Sequence, residues 1–131
     1  ETFLQRPSSV LLGTASFWEG VDIPGGALKA LVVARLPFNV PTEPVFAARS
    51  ALLEDPFNQY AVPQAVLRFR QGFGRLIRGE RDRGVVVLLD RRVLSRNYGT
   101  AFLESIPRCT VMKGSLRELP RAIKQWIAAA P

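Results

Sequence analysis

Several residue types that carry much of enzyme chemistry are scarce in this sequence. It contains no histidine and a single cysteine, Cys109, among 131 residues. The lack of histidine excludes histidine-based general base catalysis and the usual zinc ligands, and one cysteine cannot form an internal disulfide or hold an iron–sulfur cluster. Cys109 lies in the apolar stretch RCTVM, which predicts a buried strand thiol. We therefore expect no metal site within this segment.

Long apolar runs are also missing. No stretch approaches the roughly 20 consecutive apolar residues that a membrane-spanning helix needs. We therefore expect a soluble, cytoplasmic protein that does not contact a membrane. The length allows one domain with a hydrophobic core and is short for two. The sequence opens with ETFLQRP, which resembles the end of a helix leading into a strand, so we expect a domain truncated at its N-terminus.

Acidic residues are outnumbered by basic ones. The 18 lysines and arginines exceed the 11 aspartates and glutamates by seven, and 15 of the 18 are arginine. Such a balance suits a polyanionic partner such as DNA, RNA or the phosphates of a nucleotide, although a GC-rich genome also encodes arginine readily. Nine of the 15 arginines fall between Arg68 and Arg96. This clustering, more than the total charge, indicates a phosphate-binding function.

Apolar runs alternate with stretches of helical periodicity. Continuous apolar runs predict buried strands at residues 9–16, 28–36 and 84–90, with a short fourth at 108–112. Helices are predicted at 43–53, 62–77, 93–104 and 115–129. The last begins with the spacing of a capping box, Ser115 and Glu118, and Pro120 predicts an irregular first turn. This order predicts an α/β domain with a mostly parallel sheet flanked by helices.

The helix predicted at 62–77 has two unlike faces. Its apolar side chains fall within about a third of the circumference and predict the core face: Val62, Val66, Phe69, Phe73, Leu76 and Ile77. A polar stripe lines the opposite side: Gln64, Arg68, Gln71, Arg75 and Arg78. Gln71, Arg75 and Arg78 should therefore project together over two turns.

Two glycines, Gly72 and Gly74, interrupt this helix. Each costs about 1 kcal/mol relative to alanine in a helix interior, which is reasonable where another backbone or a ligand must approach closely. The neighbouring arginines fit the same interpretation, because guanidinium groups bind phosphate in bidentate fashion. The alternative is a solvated basic face, which is what most charge stripes are. The glycines favour a ligand.

Two sequence motifs carry a resemblance to superfamily two helicases. GTASFWEGVDIPG, residues 13–25, resembles helicase motif V, and its FWEGVD core resembles that of the iron–sulfur DNA helicases of the DinG/XPD group. QGFGRLIR, residues 71–78, resembles the Q-x-x-G-R-x-x-R pattern of motif VI. With the intervening ALVVARLPF stretch, the resemblance covers nearly the whole chain. It implies that residues 1–131 are part of the second RecA-like domain, of P-loop NTPase type, of a bacterial DinG-type helicase.

The resemblance implies an ATP site shared between two domains. In such helicases a first RecA-like domain supplies the phosphate-binding loop, the carboxylates that hold Mg²⁺ and the cysteines of the cluster. The second domain supplies the motif VI arginines, here Arg78 as the finger on the γ-phosphate with Arg75 assisting. Gln71 matches the motif VI glutamine, which holds nucleotide or the domain interface. Asp22 matches the motif V acid, near the ribose or the motif VI arginines.

Further motif V residues follow from the same resemblance. Glu19 is a weaker candidate for the network of Asp22, and Gly20 permits a tight turn on the nucleotide side. Thr14 and Ser16 carry hydroxyls that could contact a DNA phosphate. Phe17 and Trp18 could stack on a base, although packing in the core is the usual place for a tryptophan beside a strand.

The chain also lacks essential helicase elements. It has no G-x-x-x-x-G-K-[ST] loop, no D-E-x-H box and no four-cysteine set, so it cannot form a complete ATPase site. The resemblance implies a 5′-to-3′ DNA helicase of repair or replication that acts on single-stranded DNA. Any iron–sulfur cluster would lie outside this segment. One alternative is a non-catalytic nucleic-acid-binding module that uses the arginines from 68 to 96. Another is a related ATPase that lacks unwinding activity or carries an added nuclease domain.

Overall fold

The computed structural model describes residues 5, 6, 8–14, 28–77 and 82–129. Two strands are present in these ranges, β1 (Ala30–Val33) and β2 (Val85–Leu88). The helices are α1 (Pro44–Ser50), a π-helical turn (Phe57–Ala61) that runs directly into α2 (Val62–Leu76), α3 (Arg92–Ser95), α4 (Gly99–Glu104) and α5 (Leu119–Ala128). Strands thus alternate with helices, as the sequence predicts.

The two strands pair in parallel. Ala30 lies opposite Val85 and Val33 lies opposite Leu88, and the Leu89 amide extends the ladder by donating to the Val33 carbonyl at 3.0 Å. Parallel neighbours need a long crossover, which here contains α1, the π-helical turn and α2. The predicted parallel α/β arrangement is confirmed for this pair. Both strands are shorter than the apolar runs that predicted them.

The hydrophobic core joins the sheet, α2, α3 and α4. Its buried residues in the described ranges are Val33, Leu36, Ala65, Phe69, Val93 and Phe102. Phe69 and Phe102 meet edge to face, with ring centroids 5.7 Å apart. Burying a side chain of this size stabilises the fold by about 1.5–3 kcal/mol. Packing in this core therefore holds α2 against the sheet.

The buried face of α2 is rotated relative to the prediction. Its buried residues are Val62, Ala65, Phe69, Gly72, Phe73 and Leu76. Val66 and Ile77, which the periodicity places in the core, are only half-buried. Ala65 is completely buried, because a small residue lets the helix approach its neighbours closely. Hydrophobicity alone does not detect this position, since alanine and glycine contribute little to an apolar stripe.

Two predicted strands are wrong over the described residues. Residues 9–14 form no strand, and Val10 and Leu12 are 84% and 87% exposed. Residues 108–112 also form none, and Cys109 is exposed rather than a buried strand thiol. A strand is stable only when its backbone groups pair with a neighbour and its apolar face is covered. No strand in the described ranges pairs with either segment.

Two helices also differ from their predicted extents. The helix predicted at 93–104 is divided into α3 and α4, since Arg96 is extended and Gly99 packs directly on the backbone of Val93. The last helix begins at Leu119 rather than at residue 115. Half of the predicted capping box forms, because Glu118 Oε2 accepts from the Ser115 amide at 2.8 Å. Residues 116–118 form a turn, and Pro120 lies in the first turn of α5 that follows.

Candidate nucleotide and nucleic-acid interface

The end of α2 carries the described part of the motif VI sequence. Gln71 is exposed and Arg75 is half-buried, and they lie one turn apart on the same side of the helix. Arg75 interacts with another group of the chain, so it is not a freely solvated charge. The helix ends at Leu76, and Ile77 is extended, with its amide donating to the Phe73 carbonyl at 3.1 Å. A cation in this last turn is favoured by the helix dipole.

The two glycines of α2 have different surroundings. Gly72 is buried, so the core of the domain itself approaches the helix there. A Cβ atom built at Gly74 meets no atom within 4 Å. The packing of this domain therefore does not require glycine at position 74, and the helix surface there is open to an approaching group. An open surface at Gly74 agrees with the ligand interpretation and with a solvated face alike, and the ligand interpretation stays a prediction.

The remaining predicted site residues divide between described and undescribed segments. Thr14 is described and exposed. Arg78 and the motif V residues Ser16, Glu19, Gly20 and Asp22 lie outside the described residues, as do Phe17 and Trp18. The juxtaposition of the motif VI arginines with Asp22 therefore stays a prediction.

The C-terminal end of α2 lies at the amino end of β2. A Cβ atom at Gly84, the residue before β2, would be 2.6 Å from the Leu76 side chain, which shows how closely the two segments meet. β2 runs from Val85 to Leu88, about 10 Å in an extended strand, and Asp90 follows two residues later. Arg75 and Asp90 therefore lie near opposite ends of β2.

Asp90, which the sequence reasoning left without a function, organises the carboxyl end of the sheet. Its Oδ2 atom accepts from the Leu36 amide at 2.9 Å, and its Oδ1 atom accepts from the Arg92 amide at 3.1 Å. The Arg92 guanidinium donates through Nε and through Nη2, the latter at 2.6 Å from Oδ2. The carboxylate is only 8% exposed. It therefore joins the segments that follow β1 and β2.

The charge state of Asp90 follows from these contacts. The hydrogen bond from Arg92 lowers the pKa of the Asp90 carboxyl far below its usual range, and the backbone amides of Leu36 and Arg92 lower it further, whereas burial opposes the shift. The same contact raises the pKa of Arg92. Asp90 is thus a carboxylate at any physiological pH. The signal in the sequence was an aspartate directly after a buried strand and two residues before an arginine.

An aromatic cluster supports the other side of this pair. The Arg92 guanidinium carbon lies 5.4 Å from the centre of the Phe38 ring, a distance typical of a cation–π contact. Phe38 in turn contacts Phe57, Tyr98 and Phe102 with ring centroids 5.6–5.9 Å apart. Arg92 is therefore held between Asp90 and the edge of the core, and its charge is neutralised at the site.

Substitution of Asp90 by asparagine tests this arrangement. We expect the Leu36 amide in the complete protein to exchange with deuterium about tenfold faster, corresponding to about 1.4 kcal/mol of local stability. Hydrogen bonds to a charged group contribute about 1.5–3 kcal/mol, and the partial exposure of Arg92 reduces that contribution through solvent screening. Glu104→Gln, on the exposed end of α4, is the control and should leave the Leu36 amide unchanged.

The stability difference between wild type and Asp90→Asn should depend on pH. A depressed carboxyl pKa stabilises the folded state above the unfolded pKa, about 4, and that stabilisation is lost as the pH falls towards the folded value. The difference between wild type and Asp90→Asn should therefore be constant from pH 8 to about 5 and shrink below about 4. Stability of the region is measured from exchange rates corrected for intrinsic chemistry. A difference that persists undiminished at pH 3 would contradict the role of the charge.

A polar depression of about 390 Å³ lies beside Asp90. The described residues that line it are Ala34, Arg35, Leu89, Asp90, Arg91 and Arg92. They follow β1 and β2, and the carboxyl ends of parallel strands are where open α/β sheets bind ligands. Arg35 and Arg91 are exposed. The sequence reasoning placed no site residue here.

Two features are absent from the described part of the chain. No group of three or more Cys, Asp or Glu residues there could hold a metal ion. None of its helices has the length and the apolar character that crossing a membrane requires.

Comparison with known proteins places these features in a family. A family described as "Helicase C-terminal domain" matches residues 1–109. The chain is 49% identical over 111 residues to the "ATP-dependent DNA helicase YoaA" of Haemophilus influenzae, covering 82% of this chain and 17% of that protein. It is 38% identical over 128 residues to the protein of the same name from Escherichia coli, covering 95% of this chain and 20% of that protein.

A relative with a different name matches the same segment. The "3'-5' exonuclease DinG" of Bacillus subtilis is 42% identical over 123 residues, covering 91% of this chain and 13% of that protein. The chain thus spans a fifth or less of the length of these three relatives. Relatives named as helicases and a relative named as an exonuclease share this segment, so the segment does not distinguish between the two activities. The predicted RecA-like fold and the predicted DinG-type resemblance are both confirmed.

Proposed function

Because this chain belongs to the helicase C-terminal domain family, we propose that it is the second motor domain of an ATP-dependent DNA helicase. In this proposal it completes an ATP site whose phosphate-binding loop and Mg²⁺ ligands lie on a first RecA-like domain. Single-stranded DNA and that first domain are its partners. Closure of the two domains around ATP, and reopening after hydrolysis, would drive stepping along the strand.

One observation carries the proposal. Residues 71–76 of the QGFGRLIR stretch end a helix that packs against the sheet in the core, and they present Gln71 and the half-buried Arg75 at that end. An arginine held by a rigid element keeps its guanidinium in place while charge develops on the transferred phosphoryl group. The proposal assigns Arg78 as the finger on the γ-phosphate and Arg75 as its assistant. ATP supplies the phosphoryl group, and the chain's residues stabilise its negative charge.

The other predicted residues take roles on either side of this site. Asp22, Glu19 and Gly20 belong to the nucleotide side, and Thr14 and Ser16 to the DNA side. Mg²⁺ is held outside this segment, as is any iron–sulfur cluster. A 5′-to-3′ direction, a function in DNA repair or replication and a cytoplasmic location complete the proposal.

The nucleotide dependence of DNA binding tests this proposal against its main alternative. In the complete protein, we expect ATP hydrolysis to be stimulated by single-stranded DNA, and a non-hydrolysable ATP analogue to change the affinity for a single-stranded oligonucleotide severalfold. A non-catalytic basic module would bind with a steep salt dependence but with no effect of nucleotide. Affinity that is identical with and without the analogue, together with no stimulated hydrolysis, would contradict the motor function. Strand separation, measured in the same protein, distinguishes a helicase from an ATPase that does not unwind.

A further inference from the structure

Among the described residues, basic residues outnumber acidic ones around the depression at the carboxyl ends of β1 and β2. Three arginines and one aspartate belong to its lining, namely Arg35, Arg91, Arg92 and Asp90. Arg92 and Asp90 neutralise each other through paired hydrogen bonds. The exposed side chains of Arg35 and Arg91 have no hydrogen-bond or ion-pair partner among the residues that the structure describes. The described chain therefore supplies no counter-charge to these two arginines at the depression.

The walls of the depression are held in place by two part-buried hydrogen bonds of Asp90. The Asp90 carboxylate binds the Leu36 amide next to Arg35 and the Arg92 amide next to Arg91. Each free arginine is thus the immediate chain neighbour of a residue that Asp90 fixes. The backbone that carries the two arginines is preorganised, so binding an anion there costs little ordering of the main chain.

The position of the depression indicates that an anion bound there is not the γ-phosphate of ATP in the proposed nucleotide site. Arg75 lies at the end of α2 that meets the amino end of β2, whereas Asp90 follows the carboxyl end. The two ends of β2 are about 10 Å apart along the strand. A nucleotide whose γ-phosphate is at the motif VI arginines therefore does not place that group in the depression. An extended polyanion that runs across the sheet would reach it.

We propose that Arg35 and Arg91 bind backbone phosphates of single-stranded DNA in this depression, at a site separate from the ATP-facing arginines. The inference rests on the proposed function. The two guanidinium groups contact phosphate oxygens and position the strand without reading its sequence. Asp90 is a positioning residue, since it holds the segments from which both arginines project.

The test is the salt dependence of DNA binding by the complete protein with Arg35→Ala and Arg91→Ala combined. Each phosphate contact on a single strand contributes about 0.7 to the slope of log affinity against log salt. Loss of two contacts should make the slope shallower by about 1.4 and weaken oligo(dT) binding about 25-fold at 0.1 M salt. The double change Arg35→Lys and Arg91→Lys keeps both charges and should retain most of the slope. Arg117→Ala with Arg121→Ala, exposed arginines on and before α5, is the matched control and should leave it unchanged.

Parallel measurements separate the sources of phosphate. Binding of a fluorescent ATP analogue in the absence of DNA should be the same in wild type and in the double alanine variant. Weaker analogue binding with unchanged oligo(dT) affinity would assign the site to nucleotide and overturn the proposal. Unchanged slope and affinity would overturn it as well. DNA-stimulated ATP hydrolysis is measured separately, on the wild-type protein. The proposed motor function can therefore be correct even if Arg35 and Arg91 do not bind DNA.

Discussion

Replacing Arg78 by alanine in the complete protein should reduce DNA-stimulated ATP turnover about 10³-fold, in the range measured for arginine fingers. Affinity for single-stranded DNA should change less than twofold. The reason is that a guanidinium aimed at a terminal phosphate stabilises charge that develops only as the phosphoryl group is transferred. Arg75→Ala should give a smaller loss, since that side chain is an assistant in the proposed site. Turnover and DNA affinity are measured on the same preparations.

The helix itself provides a matched control for these variants. Arg70 is an exposed arginine on α2 outside the polar stripe that contains Arg75, so Arg70→Ala should leave turnover nearly unchanged. Arg78→Lys keeps a positive charge but loses the planar fork, and we expect it to restore little of the rate. If turnover and DNA affinity fell by the same factor, Arg78 would be a DNA contact and its assignment as the finger would be wrong.

Replacing Gly99 by alanine should destabilise the α3–α4 region by about 3 kcal/mol, the upper part of the range for overpacking a core. A Cβ atom at position 99 would clash with the Val93 carbonyl oxygen and lie 2.6 Å from its carbonyl carbon. Both are backbone atoms, so no side-chain rotation relieves the clash. Val93 and Phe102 belong to the buried core on either side of this contact, and the strain therefore reaches the centre of the domain.

Hydrogen exchange across residues 92–104 in the complete protein measures this effect. Exchange should accelerate by about two orders of magnitude, as about 3 kcal/mol of local stability implies. The same substitution at Gly74 is the control, because nothing lies within 4 Å of a Cβ atom there. Gly74→Ala should slow exchange in α2, since alanine is favoured over glycine by about 1 kcal/mol in a helix interior. Equal and small effects at both positions would show that the backbone at Gly99 yields easily.

Much of the architecture could be predicted from the sequence where apolar runs have neighbours within the chain. The runs at β1 and β2, and the strong periodicity of α2, identify those elements because burial in a shared core agrees with local preference. The same signal failed at residues 9–14 and 108–112. Their apolar side chains indicate strands equally well, but a run of residues does not reveal whether a pairing partner exists. Pairing is a property of the assembled domain.

The sequence reasoning selected some residues of the candidate site and overlooked others. Gln71 and Arg75 were selected because two motifs and a helical spacing point to them, and their roles stay predictions. Asp90 was missed, because its function depends on the Leu36 amide, 54 residues away in the sequence. Long-range hydrogen bonds leave no periodic pattern. The periodicity also failed to predict that the buried face of α2 is rotated towards Ala65, because small buried residues contribute little to a hydrophobic pattern.

The parallel crossover has a consequence for how the chain acquires its structure during synthesis. β1 has no partner in the described ranges until β2 has been made, and the buried cluster draws residues from Val33 through to Phe102. At a translation rate of about 5–20 residues per second, the ribosome needs several seconds to add that interval. Until then the apolar side of α2 is not covered by the rest of the core, so chaperones can bind it. This domain should therefore gain its protection late, as one cooperative step after Phe102 leaves the exit tunnel.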